Sequence, residues 1–326
     1  MTDVNLLVGD IGGTNARFAI ARPGQRGYER ERVLQCDDFN SAESAIQHYL
    51  KEIDSPSPQA ICLAVAGPVS EGRAKLTNNK WEFDEKHLSD SLSCARVQLL
   101  NDFEAMALGL VELDRDDVSL IGSTRMPDVN QREFVMAVVG PGTGLGAASL
   151  VKKQDKLFAL GCEAGHAGFS PESELQVAIM QVLATRFGRV SGERLVSGTG
   201  LVNLYSALAK IKSTTAKKLT AAEIFGAINQ HQLARESVDL FFELLGQVSG
   251  NFVLSTGAFD GLFIGGGIVP RYPELLQHSG FREGFENKGR HRSLMQSVPT
   301  ALVAHPYPGL LGAASSVRSG FAEAIT

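Results

Sequence analysis

The stretch Val8-Gly9-Asp10-Ile11-Gly12-Gly13-Thr14-Asn15-Ala16-Arg17 constrains this chain more than any other. Residues 6–9 are apolar, β-branched at Val8 and closed by Asp10 and a glycine pair, the pattern of a short buried strand. Residues 16–21 read as a second strand directly after the turn, so the segment is a tight hairpin. Its tip offers backbone N–H groups beside one carboxylate, Asp10, and one hydroxyl, Thr14. Glycine lets a backbone approach a bulky anion closely, and successive N–H groups in a turn make an anion-binding concavity. A carboxylate at such a place repels phosphate unless a cation lies between them. The economical reading is a magnesium-nucleotide site with Asp10 on the metal side; a plain hairpin with an exposed Asp fits the same residues.

The rest of the chain narrows the class. Its 326 residues favour about two domains, and 44% hydrophobic against 21% charged residues is enough for a sizeable core. A formal net charge of −5 argues against a nucleic-acid footprint, which needs a basic face. No apolar run approaches the ~20 residues of a membrane span, and residues 1–5 carry no signal-like pattern, so a cytoplasmic protein is expected. Cys36, Cys62, Cys94 and Cys162 form no C-x-x-C pair and read as free thiols. The seven histidines make no H-E-x-x-H, which leaves zinc without support. There is no Gly-Lys dipeptide for a Walker loop and no G-x-S-x-G elbow for a serine hydrolase. A Rossmann fingerprint can be laid on Gly142-x-Gly144-x-x-Ala147, but the residues after it read as strand where the fingerprint needs a helix.

Strand and helix patterns alternate along the chain, which implies an α/β fold. After the hairpin, 23–32 reads as a polar turn and 41–53 as a helix that Ser41 caps. Residues 60–66 form an apolar run of the kind buried on both faces of a sheet. The polar loop 76–81 carries Asn78 and the single Trp; 84–92 reads as helix and 97–100 as strand. That strand ends in Asn101-Asp102, followed by a helical pattern over 103–113, and ligand-binding groups in open α/β sheets stand at such strand ends. Asp102 would also serve simply as a helix cap. Residues 114–132 are polar and turn-rich and mark a domain boundary.

A second hairpin follows: strand 134–139, the turn Gly140-Pro141-Gly142-Thr143-Gly144-Leu145-Gly146, and a returning strand over 147–151. Gly9 and Gly140 stand 131 positions apart, which suggests an internally duplicated fold with its ligand between the halves. Glu163 and His166, then Glu193, lie in the turns beyond it. Helices are expected over 173–187, 201–211, 221–230 and 233–256; Gly246 and Gly250 on the last mark close packing rather than function. Strand 262–264 runs into a third glycine turn at Gly265-Gly266-Gly267. A basic, turn-rich piece at 288–292, strand 300–304 and a small-residue helix over 309–324 complete the chain, the last returning to the first domain. The domains are thus expected as 1–113 plus 305–326, and 114–304.

Taken together, GDIGGTNARFAI, LTNNKWEF, LLNDFEAMALG, GPGTGLGAA, EAGH, SGERLVSGTGLVNLY, FIGGGIVPR and PGLLGAA resemble the bacterial ATP-dependent glucokinases of the actin-like ATPase and sugar kinase superfamily. The motifs come in that family's order and cover the chain from about residue 6 to residue 320. Departures are small: Ala164 stands where glycine is common in the E-x-G-H motif, and Pro141 lies inside the second turn. The cysteine cluster of the zinc-binding repressor–kinase branch is absent, which points to the non-zinc group. The resemblance implies two actin-like (ribonuclease H-like) α/β domains with a cleft between them, ATP and Mg²⁺ as cofactors, and phosphorylation of glucose at its 6-hydroxyl. It implies Asp102 as catalytic base and Asn78, Asn101, Asp102, Glu163, His166 and Glu193 as sugar-binding residues. Gly9, Asp10, Ile11, Gly12, Gly13 and Thr14, with Gly142, Thr143 and Gly144, would embrace the phosphates. Gly265 and Gly266 would lie by the adenosine, and Asp10 would face the metal, through water. A homodimer is also implied. A sugar-binding sensor or another hexose kinase of the same fold remains the alternative reading.

Overall fold

The computed structural model describes residues 4–76, 79–122 and 125–325, with side chains to Phe321. Asn78 lies outside the described residues. The chain divides into two compact units: Met1–Arg115, Lys152–Gly161 and His305–Thr326 form the first, Asp116–Val151 and Cys162–Ala304 the second. The sequence reading places residues 152–161 with the second domain, whereas they belong to the first unit.

In the first unit, β1 (Leu6–Ile11), β2 (Asn15–Ala21), β3 (Glu29–Gln35), α1 (Ala42–Glu52) and β4 (Ala60–Val65) lead to a small sheet of β5 (Val69–Ser70), β6 (Arg73–Lys75) and β7 (Glu82–Asp84). Helix α2 (Glu85–Leu92), β8 (Val97–Asn101) and α3 (Asp102–Gly109) follow. The main sheet runs β3-β2-β1-β4-β8. Strand β1 is antiparallel to β2 and parallel to β4, and β4 is parallel to β8. Every residue of β4 is buried, as its unbroken apolar sequence demands. Successive side chains point to opposite faces: Leu7, Ile61 and Leu63 pack under α1 with Tyr49 and Trp81, while Leu6, Val8 and Cys62 pack under the C-terminal helix, Pro308–Ile325, with Leu310 and Ala313. Ser41 and Ser44 close a capping box on α1.

Strand β3 corrects the reading of 23–32 as a polar turn throughout. Its residues are mostly exposed, so the alternation that betrays a half-buried strand is missing. Backbone pairing with β2 holds it in the sheet instead.

The second unit contains β9 (Val118–Leu120), β10 (Phe134–Pro141) and most of β11 (Leu145–Lys153). Strand β12 (Lys156–Cys162), which belongs to the first unit in all but its last residue, comes next, then α4 (Glu174–Phe187), α5 (Gly198–Ile211), α6 (Ala221–Gly226) and α7 (Gln232–Thr256). Strand β13 (Gly261–Ile264), helices α8 (Pro273–Gln277), α9 (Phe281–Glu286) and α10 (Arg292–Ser297), and β14 (Thr300–Val303) complete the second unit. The sheet order is β12-β11-β10-β13-β14-β9, with β10, β13 and β14 parallel and β9 antiparallel to β14. Strand β9 lies where the sequence shows only a polar linker; three residues are too few to display a period. The basic piece 288–292 is a 3₁₀ turn running into α10. Gly246 and Gly250 do mark close packing: a Cβ at either position would strike the backbone of Phe281 or Phe285 on or beside α9.

Cys36, Cys62, Cys94 and Cys162 are all free thiols. Among the described residues no helix is long and apolar enough to cross a membrane, and no cluster of three His, Cys, Asp or Glu side chains could hold a metal alone.

Candidate active site

Parallel strands end together. In the first unit the register pairs Asp10 with Ala64 and Val65 with Asn101, so the carboxyl ends of β1, β4 and β8 form one edge. Asp10 and the Asn101-Asp102 pair stand on it.

Asn101, rather than Asp102, caps α3. Its Oδ1 accepts the N–H groups of Phe103 (2.9 Å) and Glu104 (3.4 Å), and Glu104 Oε2 returns the bond to the Asn101 N–H (3.2 Å). The Asn101 Nδ2 donates to the Gly67 carbonyl just past β4 at 3.0 Å. With the N-cap filled by its neighbour, Asp102 occupies the first helical position, where its Oδ1 accepts the Phe103 N–H at 3.0 Å. Burial, and next the negative charge of Asp10, push its carboxyl up to about 6; the N–H of Phe103, its own N–H and Asn101 pull the other way.

Asp10 itself is raised by burial and lowered by Arg17, its cross-strand neighbour on β2. Arg17 Nη1 lies 3.7 Å from Asp10 Oδ2, and the guanidinium stacks 4.5 Å over the Tyr307 ring. The C-terminal helix begins at this point. A Cβ on Gly309 would lie 3.7 Å from Asp10 Oδ1 and 3.9 Å from the Asp102 carbonyl. The positive end of an eighteen-residue helix therefore lies beside the Asp10 carboxylate.

The glycines of the first turn do different things. Gly9 lies within β1, where a Cβ would come 2.7 Å from Leu63 Cδ2, so packing requires it. Ile11 is buried core. At Gly12 the backbone is not left-handed and an added Cβ would meet nothing closer than 3.6 Å. Neither conformation nor packing calls for glycine there, and the space above it is open, a cradle that a Cβ would fill. The Gly12 N–H is spent inside the turn on the Asn15 carbonyl at 2.9 Å, so the tip offers fewer free donors than its sequence implies. Thr14 is exposed.

In the second unit the turn between β10 and β11 is closed by the Gly142 N–H on the Gly144 carbonyl at 2.8 Å. The Gly142 carbonyl accepts the Gly198 N–H, at the start of α5, at 2.9 Å. Gly142 itself is open, with 3.9 Å to the nearest atom from an added Cβ, and Thr143 is exposed. The third glycine turn packs backbone to backbone against this one. A Cβ on Gly140 would lie 2.8 Å from the Gly266 N; Gly266, at φ +81°, would place one 2.7 Å from the Pro141 carbonyl. Pro141 keeps that carbonyl in use, accepting the Ile268 N–H at 3.2 Å. Gly265 donates to Val139 at 2.9 Å, extending the β10–β13 pairing into the turn.

Glu163, His166 and Glu193 converge beside the second turn. His166 Nε2 is 3.8 Å from Glu163 Oε2 and 4.0 Å from Glu193 Oε2. Glu163 and His166 stay largely exposed, which leaves their polar atoms to a ligand. Glu193 Oε2 accepts the Leu145 N–H at 3.0 Å. Ser197, the N-cap of α5, donates to the Glu193 carbonyl at 2.8 Å and fixes the turn that carries it.

Sequence reasoning passed over three contributors. Arg17 stood inside the opening stretch, Asn79 inside LTNNKWEF and Gly198 inside SGTGLVNLY, yet nothing local gave them a partner. Asn79 Nδ2 donates to the Gly13 carbonyl at 3.1 Å, across 66 residues of chain.

Mixed sheets whose parallel strands end in glycine turns and acids, with a raised carboxylate at one such end, fit the actin-like sugar kinase class that the sequence motifs resemble. A glucokinase family model matches residues 7–319. Glucokinase of Hahella chejuensis is 36% identical over 315 residues, 96% of this chain and 97% of that protein. Glucokinase of Marinobacter nauticus is 39% identical over 317 residues, 95% of this chain and 96% of its own. The crystal structure of a glucokinase from an Antarctic psychrotroph superposes with a TM-score of 0.89 at 35% identity, covering 97% of this chain and 99% of that one. A ROK family glucokinase from Streptomyces griseus, in complex with glucose and AMPPNP, shares the fold at 19% identity, with a TM-score of 0.63 over 97% of this chain and 100% of that one. The chain belongs to the glucokinase family, and its activity is that of a hexose-phosphorylating transferase.

Proposed function

We propose that this protein transfers the γ-phosphoryl group of ATP to the 6-hydroxyl of glucose, with Asp102 as general base. The observation that carries the reading is the Asp102 carboxyl, freed from capping by Asn101 and pushed up to about 6 at a strand end. A base near neutrality is ionised at working pH and still basic enough to take a proton. In the step, the O6–H proton passes to the Asp102 carboxylate, O6 bonds to the γ-phosphorus, and the bond to the bridging oxygen breaks to release ADP. Phosphoryl transfer asks for positioning and charge stabilisation more than covalent chemistry.

Glu163, His166 and Glu193 bind the other sugar hydroxyls, with Asn101 and Asn78 beside them in role. Hydroxyls donate well to carboxylates. Acceptors held at fixed positions match one arrangement of hydroxyls, so such a set discriminates between epimers. The turns at Gly9–Thr14 and Gly142–Gly144 hold phosphates, supported by the open space above Gly12 and Gly142. Gly265 and Gly266 lie by the adenosine.

Mg²⁺ fits the donor set through Asp10. One protein carboxylate, completed by phosphate oxygens and water, is how this ion is usually held, and no richer acidic cluster stands among the described residues. When bound, the ion neutralises charge on the β- and γ-phosphates.

Membership of the bacterial glucokinase family, with its four cysteines kept as free thiols, supports a cytoplasmic enzyme. The homodimer rests on family resemblance; light scattering at low micromolar protein tests it. The assignment itself is tested by ADP release in an enzyme-linked assay over a panel of glucose, mannose, fructose and N-acetylglucosamine. Release that requires sugar and is fastest with glucose is expected. Release without sugar, or preference for another hexose, would overturn it.

A further inference from the structure

The first glycine turn has its carbonyls held from behind. Three consecutive ones are taken up by groups from elsewhere in the first unit. The Gly12 carbonyl accepts the Cys36 thiol at 3.6 Å, the Gly13 carbonyl accepts Asn79 Nδ2 at 3.1 Å, and the Thr14 carbonyl accepts the Cys36 N–H at 2.8 Å. Cys36 is fully buried at the end of β3. Asn79 is itself oriented, because its Oδ1 accepts the Trp81 N–H at 3.1 Å. Trp81 in turn is buried and donates its Nε1–H to the Phe39 carbonyl at 3.3 Å. The amide of Asn79 thus has one orientation, donor toward Gly13.

This matters for an anion. A peptide unit has a negative end and a positive end, so a turn that binds phosphate must keep its carbonyls away from the ligand. A turn with two adjacent glycines has little intrinsic preference for which way its peptides face. Bonds from Cys36 and Asn79 supply that preference.

We propose that Asn79 is a positioning residue for the nucleotide: by holding the Gly13 carbonyl it keeps the first turn facing phosphate with N–H groups and the Thr14 hydroxyl. The inference rests on the reading of this turn as a phosphate site. Asn79 does not touch the reacting atoms; it acts through the Gly12–Thr14 backbone.

The test uses the full-length enzyme with Asn79→Asp, which keeps shape and removes the donor, Asn79→Ala, which removes it without adding charge, and Gly12→Ala as a probe of the turn itself. Loss of one hydrogen bond to a positioned peptide should raise KM for Mg-ATP about tenfold, with the inhibition constant of Mg-ADP rising in parallel. KM for glucose and kcat should stay within about threefold of native, and the melting temperature close to native, a split that a merely structural role would not produce. If Gly12→Ala raises KM for Mg-ATP while both Asn79 variants leave it unchanged, the inference fails and the phosphate site stands. If none of the three moves it, both fall. A rise in KM for glucose instead of Mg-ATP also overturns the inference, since Asn79 would then serve the sugar.

Discussion

Glu193 Oε2 accepts the backbone N–H of Leu145 at 3.0 Å, and the missing side chain of Gly144 is what lets it approach. A Cβ on Gly144 would stand 2.5 Å from that same oxygen. A carboxylate assigned to sugar is therefore seated on a turn assigned to phosphate. In Gly144→Ala the flexible end of Glu193 must move aside, which costs the fold little but costs the site its geometry. We expect KM for glucose to rise about tenfold, the value of one charge-assisted hydrogen bond, with a melting temperature near native. Steady-state kinetics with calorimetry checks it; an unchanged KM for glucose sinks the assignment of Glu193.

Neighbouring glycines should respond in opposite ways. A Cβ on Gly140 meets the backbone of Gly265 and Gly266, atoms that cannot swing aside, whereas one on Gly142 meets open space. Gly140→Ala should lose several degrees of melting temperature or fail to accumulate, the cost of overpacking being about 1–3 kcal/mol or more. Gly142→Ala should melt like the native protein and bind Mg-ATP more weakly, because the Cβ would occupy the ligand's space. Thermal melts and Mg-ATP titrations decide the pair, and equal melting losses in both would contradict the packing difference.

Asp102→Asn removes the base and keeps most of the shape. The variant should bind glucose with near-native affinity while kcat falls at least ~10²-fold, the range for general-base catalysis. Near-normal turnover would exclude the role.

The same carboxyl sets a pH dependence. Only the ionised form accepts a proton, so kcat/KM for glucose should be flat above about 6 and fall roughly tenfold per pH unit below the carboxyl's raised value of about 6. A profile flat down to pH 4.5 would show that another group controls the step.

Asp102 also makes a prediction about stability. Its folded value of about 6 lies above its ordinary 3.8, so the folded state holds the proton more tightly than the unfolded one. That contribution is fully present below about pH 3.8 and is lost as pH rises through about 6, leaving a net cost at neutral pH. Asn carries no such cost. Asp102→Asn should therefore be more stable than native at pH 8, by about 1–3 kcal/mol, with the gain vanishing near pH 4. Denaturant midpoints at the two pH values measure this. A gain of equal size at both would point to a cause other than ionisation.

Much of the fold was legible because its signals are local. The apolar runs of β4 and β10, the Ser41 cap of α1 and the strand-end position of Asn101-Asp102 each lie within a few residues of sequence. Strand β3 was not legible, since Glu29–Gln35 is exposed and is held by pairing with β2 alone. The same holds for β9, three residues long and placed by its pairing with β14.

At the site, the glycine turns and strand-end acids were legible in the chain, but it was the resemblance of the ordered motifs to the glucokinase family that indicated a sugar kinase. The division of labour came only from the tertiary structure. Asn101 and Asp102 are equally good caps by composition, and the chain's return at Gly67, 34 residues before Asn101, supplies the further bond that seats Asn101 in that place. Gly9, Gly12 and Gly144 are the same residue in sequence, yet one makes room for Leu63, one leaves open space and one admits Glu193. A glycine has no side chain to declare its purpose; that purpose is set by whichever distant atoms the fold brings against it.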